Sequence, residues 1–382
     1  MATSTGTIVT AAPERSPALP ATTLPGPAYH SDRTYETDRE RVFFRHWLYA
    51  ARAERITEPG AWLRIDLAGE SILLVRGKDD RIRGFYNVCR HRGSQLCDEA
   101  EGQVRTHLRC PYHAWGYALD GTLVTTPMIA RNEIDRERTS LWPVRTEIWE
   151  GFVFVNLSRE EPQPLLEMLA DQRDDPLGLA RFGLADLRIG HVSTVDVEAN
   201  WKILMENYNE CLHCPTVHPE LVAVVPAFRK GSVFEDGRED GGLTLADGRT
   251  AIATDARLRL PLLPGPKGQE GSAAYFGAMV YPSMFLDVDG ASALSTAVFP
   301  TGPRSCRLVT EYLFSPEAFE DPAFDPTPIV DFNDRVTRQD NEVCERVQRG
   351  VTSRAFDHGV FPAKDSWVLA FDERYRRDVS GA

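Results

Sequence analysis

Cys89, His91, Cys110 and His113 form two matched pairs, Cys-x-His and Cys-x-x-His, separated by residues 92–109. A tight loop can present both members of such a pair to one side. Two thiolates on one iron and two neutral imidazoles on the other make a [2Fe–2S] cluster whose potential lies well above that of an all-cysteine one. Gly93 and Pro111 supply loop chemistry, and each pair lies within or just after a β-type segment. A structural zinc site is one rival, but zinc motifs usually space both halves by two to four residues, and Cys-x-His is too tight for the common versions. Ordinary core cysteines and histidines are the other rival, against which the matching of the two loops argues. Cys97 and His107 lie between the loops at no ligand position and are expected to be structural.

A second grouping sits in NWKILMENYNECLHCPTVHPEL, where Glu210, His213 and His218 share one short stretch. The spacing predicts a helix that frays at Pro215. On that helix Glu210 and His213 face the same side, whereas His213 and His218 stand about 140° apart at about 100° per residue. Both imidazoles reach one ion only if the helix is broken or rewound between them. Two histidines and a carboxylate on one face of Fe(II) leave the other face open for O₂. The late helix offers the acid: Ile329, Val336, Val343, Cys344 and Val347 form an apolar stripe with Asp340 in its middle, while Asp331, Asp334 and Glu345 point elsewhere. An acid in a buried stripe is costly unless it is paired or bound to metal. Asp340 is therefore the third candidate ligand; helical phase alone equally allows an arginine partner or a helix cap. Cys211 and Cys214 could join the two histidines in a zinc knuckle, but four ligands so crowded hardly surround a tetrahedral ion. Both cysteines are expected to be packing residues, and Trp201 and Asn207 to line the iron site.

The strings NVCRHRG and CPYHAWGYALDG resemble the two cluster-binding loops of Rieske-type non-haem iron oxygenases. NWKILMENYNECLHCPTVHP and the later QDNEVCERVQRG resemble segments of the large (alpha) oxygenase subunit of the same family. The resemblance implies Cys89 and Cys110 on one cluster iron, His91 and His113 on the other, and a mononuclear iron held by His213, His218 and Asp340. It implies that Glu210 bridges His213 to a cluster imidazole of a neighbouring subunit in a homotrimer, with electrons drawn from NAD(P)H through a flavin/iron–sulfur reductase or a ferredoxin. Glu at the bridging position resembles the glycine betaine, carnitine and stachydrine demethylase group, which implies monooxygenation and N-demethylation of a quaternary ammonium compound. Aromatic-ring cis-dihydroxylation, O-demethylation and a non-catalytic Rieske electron carrier are the alternatives; a carrier needs only the first grouping. Tyr275, Phe276, Tyr281 and Phe285 could enclose an ammonium group by cation–π contact, or simply be the packed face of a strand.

The elements that must position these residues can be read coarsely. Residues 1–27 are rich in Ala, Thr and Pro and are expected to be a mobile arm. Residues 28–47 are read as a helix packing on the catalytic domain. Short β-type segments, WLRIDLA, SILLVRG, IRGFYNV and EGFVFVNL, make residues 48–160 a small β-rich domain carrying the cluster. Residues 161–382 mix helices with alternating segments such as ALSTAVFP and CRLVTEYLF, which suggest an antiparallel sheet. The expected class is α+β: an antiparallel Rieske domain, then a catalytic domain of helix-grip type. LPLLPGPKG, around residue 264, reads as a surface loop. The chain has 382 residues, and 43 basic against 56 acidic residues give a formal charge of -13, which argues against nucleic acid or an anionic membrane as partner. No apolar run reaches the length of a membrane span and no secretory pattern is seen, so a cytoplasmic location is expected.

Overall fold

The computed structural model describes residues 21–172, 174–233, 242–246, 248–256, 258, 260–264 and 274–381. Most of the expected N-terminal arm, and the loop expected around residue 264 from residue 265 onward, lie outside the described residues. The chain divides into two compact units, Phe43–Leu165 and a second formed by Met1–Val42 with Leu166–Ala382.

The strands of the first unit all pair antiparallel. Its strands are β1 (Leu48–Arg52), β2 (Ala61–Leu67), β3 (Glu70–Arg76), β4 (Ile82–Tyr86), β5 (Glu101–Gln103), β6 (His107–Arg109), β7 (Gly116–Ala118), β8 (Leu123–Thr125), β9 (Pro143–Trp149) and β10 (Phe152–Asn156). They form a seven-stranded sheet in the order β1-β10-β9-β4-β3-β2-β5 and a three-stranded sheet β6-β7-β8. WLRIDLA and SILLVRG pair as β2 and β3, with Trp62 opposite Val75 and Leu67 opposite Glu70. Trp62, Leu73, Phe85, Leu108, Trp115 and Tyr117 pack in one core with Cys89 and Cys110, so the cluster loops are rooted in apolar packing.

The second unit is built on a six-stranded antiparallel sheet and the helices beside it. Its strands are β11 (Arg188–Val197), β12 (Leu243–Thr244), β13 (Ala274–Val280), β14 (Met284–Val288), β15 (Ala293–Gly302) and β16 (Ser305–Phe314), in the order β11-β16-β15-β14-β13-β12. The helices used below are α1 (Asp32–Asp38), α2 (Trp201–Tyr208), α3 (Cys214–Val217), α4 (Pro219–Val224), α5 (Thr327–Val351) and α6 (Ser366–Ser380). Ser31 caps α1, its hydroxyl accepting from Thr34 N at 3.4 Å. The single helix expected over residues 28–47 is shorter: α1 ends at Asp38, a wider turn runs over Arg39–Phe43, and Trp47 directly precedes β1.

Helix α5 is tied to the sheet by Asp334, which accepts from Tyr312 Oη (2.7 Å) and Ser193 Oγ (2.9 Å), and by Ile329 and Val330 packed with Leu294, Tyr312 and Phe314. Asn200 caps α2, accepting from Lys202 N, and its own N–H donates to Gln348 on α5 at 2.7 Å. Asp38 and Lys202, both fully buried, form an ion pair at 2.5 Å, and Trp201 Nε1 and Tyr375 Oη also donate to Asp38. A charge pair this deep is tolerated because its remaining lone pairs are taken. It fixes the helix that leads into the second grouping.

Candidate metal centres and active site

In the first unit the two cluster loops repeat one device. After β4 the chain turns so that Cys89 N donates to Ser94 O (2.8 Å) and Gly93 N to Cys89 O (3.0 Å). Gly93 has φ 76°, a conformation glycine adopts at no steric cost. In the second loop Cys110 N donates to Trp115 O (2.8 Å) and Ala114 N to Cys110 O (3.1 Å), with Ala114 at φ 58°. Asn87, fully buried, pins the first loop: its amide donates to Cys97 O and accepts from the N–H groups of Leu96 and Cys97. Sequence reading overlooked Asn87, whose type and place in NVCRHRG are ordinary for a turn.

Cys89 and Cys110 are free thiols at 2% exposure, close enough to interact. Burial pushes the Cys89 thiol up, while Tyr117 Oη at 3.3 Å offers its sulfur a hydrogen bond and accepts from Arg90 N. The rings of His91 and His113 meet edge to face at 4.6 Å, and His91 stacks on Trp115 at 4.5 Å. Burial, then His113 and Arg92, hold His91 below its ordinary value. Its Nδ1 is buried with no hydrogen-bond partner. Two unlinked thiols, two adjacent imidazoles and an orphaned ring nitrogen fit a cluster with one iron on each pair. Cys97 packs against the core, and His107 Nδ1 lies 2.9 Å from Thr106 Oγ1.

In the second unit the expected long helix is broken earlier than Pro215. Helix α2 stops at Tyr208, so Glu210 lies beyond it. His213 sits at the N-cap of α3, and His218 ends α3 while opening α4. Pro215 lies in the first turn of α3, where its missing N–H costs nothing, so it starts a helix instead of fraying one. Cys211 and Cys214, expected to be packing residues, are joined in a disulfide that closes the turn carrying His213.

These breaks turn both imidazoles toward α5. His218 Nε2 lies 2.8 Å and His213 Nε2 3.2 Å from the same atom, Asp340 Oδ1. The three donor groups lie within 4.8 Å of one another and can hold a metal ion. Their Nδ1 atoms are occupied elsewhere: His213 Nδ1 donates to Glu210 Oε1 (2.6 Å) and His218 Nδ1 to Gln339 Oε1 (2.7 Å). Gln339 is oriented in turn by its Nε2–H to Glu220 Oε1 at 2.7 Å. With Nδ1 protonated, each imidazole offers its Nε2 lone pair to the site. Glu210 is itself fixed, its Oε2 accepting from Leu212 N. Burial opposes protonation of His213, but the hydrogen bonds to Asp340 and Glu210 prevail and raise it to about 9. Burial pushes Asp340 up, and the two histidines more than reverse this, leaving it below the usual range. The donor set is two imidazoles and one carboxylate, and the shifts record their mutual attraction across Asp340 Oδ1. Gln339 and Glu220 were not singled out in the sequence because polar neighbours of a ligand carry no pattern of their own.

The expected stripe on α5 is rotated from its apolar positions. Val347 is 42% exposed, whereas Asn341, Cys344 and Gln348 are buried. Buried amides replace apolar side chains there, Gln348 bonding to Asn200 N and Tyr29 O. Asp340 stays half-buried, facing the histidines.

A cavity of about 330 Å³ opens onto this centre, with Asn207, Tyr275, Phe276 and Phe285 in its wall. That volume is in the range of small-molecule sites. Trp201 and Tyr281, also expected to line it, lie outside that wall. Trp201 is fully buried on Asp38, and Tyr281, fully buried, donates to Asp378 under the Arg374 guanidinium.

Two family models match this chain, one described as the Rieske [2Fe-2S] domain over residues 46–143, the other as the ring hydroxylating alpha subunit (catalytic domain) over residues 184–381. The carnitine monooxygenase oxygenase subunit of Escherichia coli (strain K12) is 31% identical, across 88% of this chain and 86% of that protein. The chain belongs to the ring-hydroxylating alpha-subunit family of Rieske oxygenases. This oxygenase is also similar to the glycine betaine monooxygenase oxygenase subunit of Chromohalobacter salexigens, at 29% identity over 88% of this chain and 81% of the relative. Its fold matches a quaternary ammonium Rieske monooxygenase solved with L-carnitine, at a TM-score of 0.74 and 24% identity over 94% of this chain and 96% of the other. The oxygenase uses a Rieske [2Fe–2S] cluster and a mononuclear iron, as the two matched domains require. Among the described residues no helix is long and apolar enough to cross a membrane.

Proposed function

We propose that this oxygenase hydroxylates an N-methyl group of a small quaternary ammonium compound, with loss of the hydroxymethyl carbon as formaldehyde. The carrying observation is the convergence of His213 Nε2 and His218 Nε2 on Asp340 Oδ1 beside a cavity of about 330 Å³. The monooxygenase relatives named for glycine betaine and carnitine support the substrate class.

In this reading Cys89 and Cys110 hold one cluster iron and His91 and His113 the other, while His213, His218 and Asp340 hold the mononuclear iron. When bound, the cluster supplies stored electrons and the mononuclear iron supplies reductive activation of O₂. Glu210 orients His213 by accepting from its Nδ1–H, and its carboxylate carries the link to the cluster imidazole of a neighbouring subunit. Gln339 orients His218 in the same way, and Asn207, Tyr275, Phe276 and Phe285 bound the substrate. The domain division behind this scheme puts the cluster on residues 48–160 and the iron on 161–382. Of segment 28–47, the part up to Val42 goes with the latter, supported by the bonds of Asp38 to Lys202 and Trp201. We further propose a cytoplasmic homotrimer served by a separate reductase or ferredoxin.

Aerobic turnover of the reconstituted protein with a surrogate reductase tests the reading. Betaines, aromatic acids and methoxy-aromatics are supplied in parallel. Formaldehyde from betaines alone is expected; diols from the aromatic acids, or formaldehyde only from the methoxy compounds, would replace it with ring dihydroxylation or O-demethylation.

A further inference from the structure

The iron cavity contains a carboxylate that metal binding does not use. Asp287 on β14 stands opposite Gly277 on β13 and lines the cavity. Tyr275 Oη donates to its Oδ1 at 2.6 Å, and Tyr208 Oη, from the last residue of α2, donates to the same oxygen at 2.7 Å. Oδ2 accepts no hydrogen bond from the described residues and is not sealed from the cavity. Both phenols are themselves held, Tyr208 stacked on Phe285 at 4.1 Å and Tyr275 edge-on to Phe228 at 5.9 Å. Gly277 makes the arrangement possible, since a Cβ there would lie 2.8 Å from Tyr275 Oη and 3.0 Å from Tyr208 Oη.

Among the described residues, the groups that act most on this acid include no cation. Its surroundings are the two phenols and Asp289, and Asp289 is satisfied by the N–H groups of Ile252, Ala291 and Ser292 and by the Ser292 hydroxyl. An unbalanced buried carboxylate is costly. The aromatic rings nearby are partly spoken for: the Arg181 guanidinium lies 4.9 Å over both Phe182 and Phe276, and Phe285 is covered on one face by Tyr208. Of the expected aromatic enclosure, Tyr275, Phe276 and Phe285 stand in the cavity wall and Tyr281 does not, so the rings there are fewer than expected.

We propose that Asp287 is the specificity-determining residue for a cationic substrate, its free Oδ2 facing the substrate's ammonium nitrogen while Tyr208 and Tyr275 hold the carboxylate in place. The proposal deepens the reading of the substrate as a methylated ammonium compound and rests on it. Charge, more than ring surface, then separates substrates from their uncharged analogues.

The test is calorimetric titration of the holoenzyme under argon with choline and with its uncharged carbon isostere, 3,3-dimethyl-1-butanol. The wild type is expected to bind choline at least about tenfold more tightly than the alcohol, and Asp287→Asn to bring the two within about threefold. Asn keeps an acceptor oxygen for both phenols, and metal content checks that the variant is intact. Should it lose metal, Gly277→Ala, which displaces both hydroxyls, must show the same selective loss for choline. A wild type without preference for the cation, or a preference kept in the intact variant, overturns the proposal. Formaldehyde release by the wild type is scored separately, so a failure of the oxidation reading leaves the Asp287 result standing or falling by itself.

Discussion

The two metal centres are assembled in opposite ways. In the first unit each candidate ligand pair comes from one tight loop shaped by its own backbone hydrogen bonds, such as Cys89 N to Ser94 O and Cys110 N to Trp115 O. Tyr117 braces the first loop from β7, the second strand of the small sheet. In the second unit His213 and His218 come from one broken stretch, but the third group, Asp340, arrives from α5, and the orienting partners Gln339 and Glu220 come from two different helices. A centre made of local turns is robust to changes elsewhere in its unit. One completed across elements depends on the packing that brings them together.

The comparison breaks most visibly at the ligands. Asp340→Ala is expected to abolish product formation and lose the mononuclear iron while the cluster's visible spectrum persists, and Cys89→Ser to do the reverse. Iron counting and electron paramagnetic resonance on both variants check this; loss of both metals from either one defeats the picture of separate centres.

One step outward, Glu210→Gln keeps both metals but is expected to slow turnover by about 10- to 100-fold, because the acceptor for His213 Nδ1 is weakened. Single-turnover kinetics should then find cluster oxidation uncoupled from product. A variant turning over like wild type would remove Glu210 from the electron path. Gln339→Leu sharpens the contrast further, since it touches only the ring orientation of His218. A drop of about tenfold in iron affinity is expected, read by competition with a chelator.

The smallest effect concerns stability and pH. Burial pushes Asp287 up to about 6 against an ordinary 3.8, while its tyrosine bonds pull the other way and Asp289 adds to the rise. A folded value above the unfolded one means the folded state holds the proton more tightly, so this contribution is present below about pH 4 and is lost as pH rises through about 6. Asp174 contributes to the same electrostatic neighbourhood through Tyr208 and Tyr275. Asp287→Asn is therefore expected to be more stable than wild type at pH 7.5, by up to about 2 kcal/mol, with the difference shrinking toward pH 4. Thermal unfolding of the substrate-free protein at the two pH values measures it.

Much of the fold was legible because β segments announce themselves by short apolar runs between turns. WLRIDLA, SILLVRG and EGFVFVNL appear as β2, β3 and β10 with ends shifted by a residue or two. The helix around His213 ends earlier than expected because Asn207 and Asn209 weaken it after the good helix formers that follow Trp201, and Asn209 is its C-cap. Likewise the apolar stripe on α5 could not reveal that Asn341 and Gln348 are buried, since a buried amide is recognised only by the partner it finds, here Asn200 and Tyr29 for Gln348.

By itself the sequence determined the candidate ligand types: Cys-x-His and Cys-x-x-His in turn-forming context, and a Glu, two histidines and a distant Asp. Such signals are local, because a loop or one helical face fixes the spacing that chemistry requires. Tertiary structure alone decided that both Nε2 atoms meet one oxygen of Asp340, that Trp201 and Tyr281 are spent on buried anchoring, and that Tyr208 and Tyr275 converge on Asp287 across Gly277. Those facts depend on pairings between residues far apart in the chain, and no local preference encodes a partner that only the folded packing brings within hydrogen-bond reach.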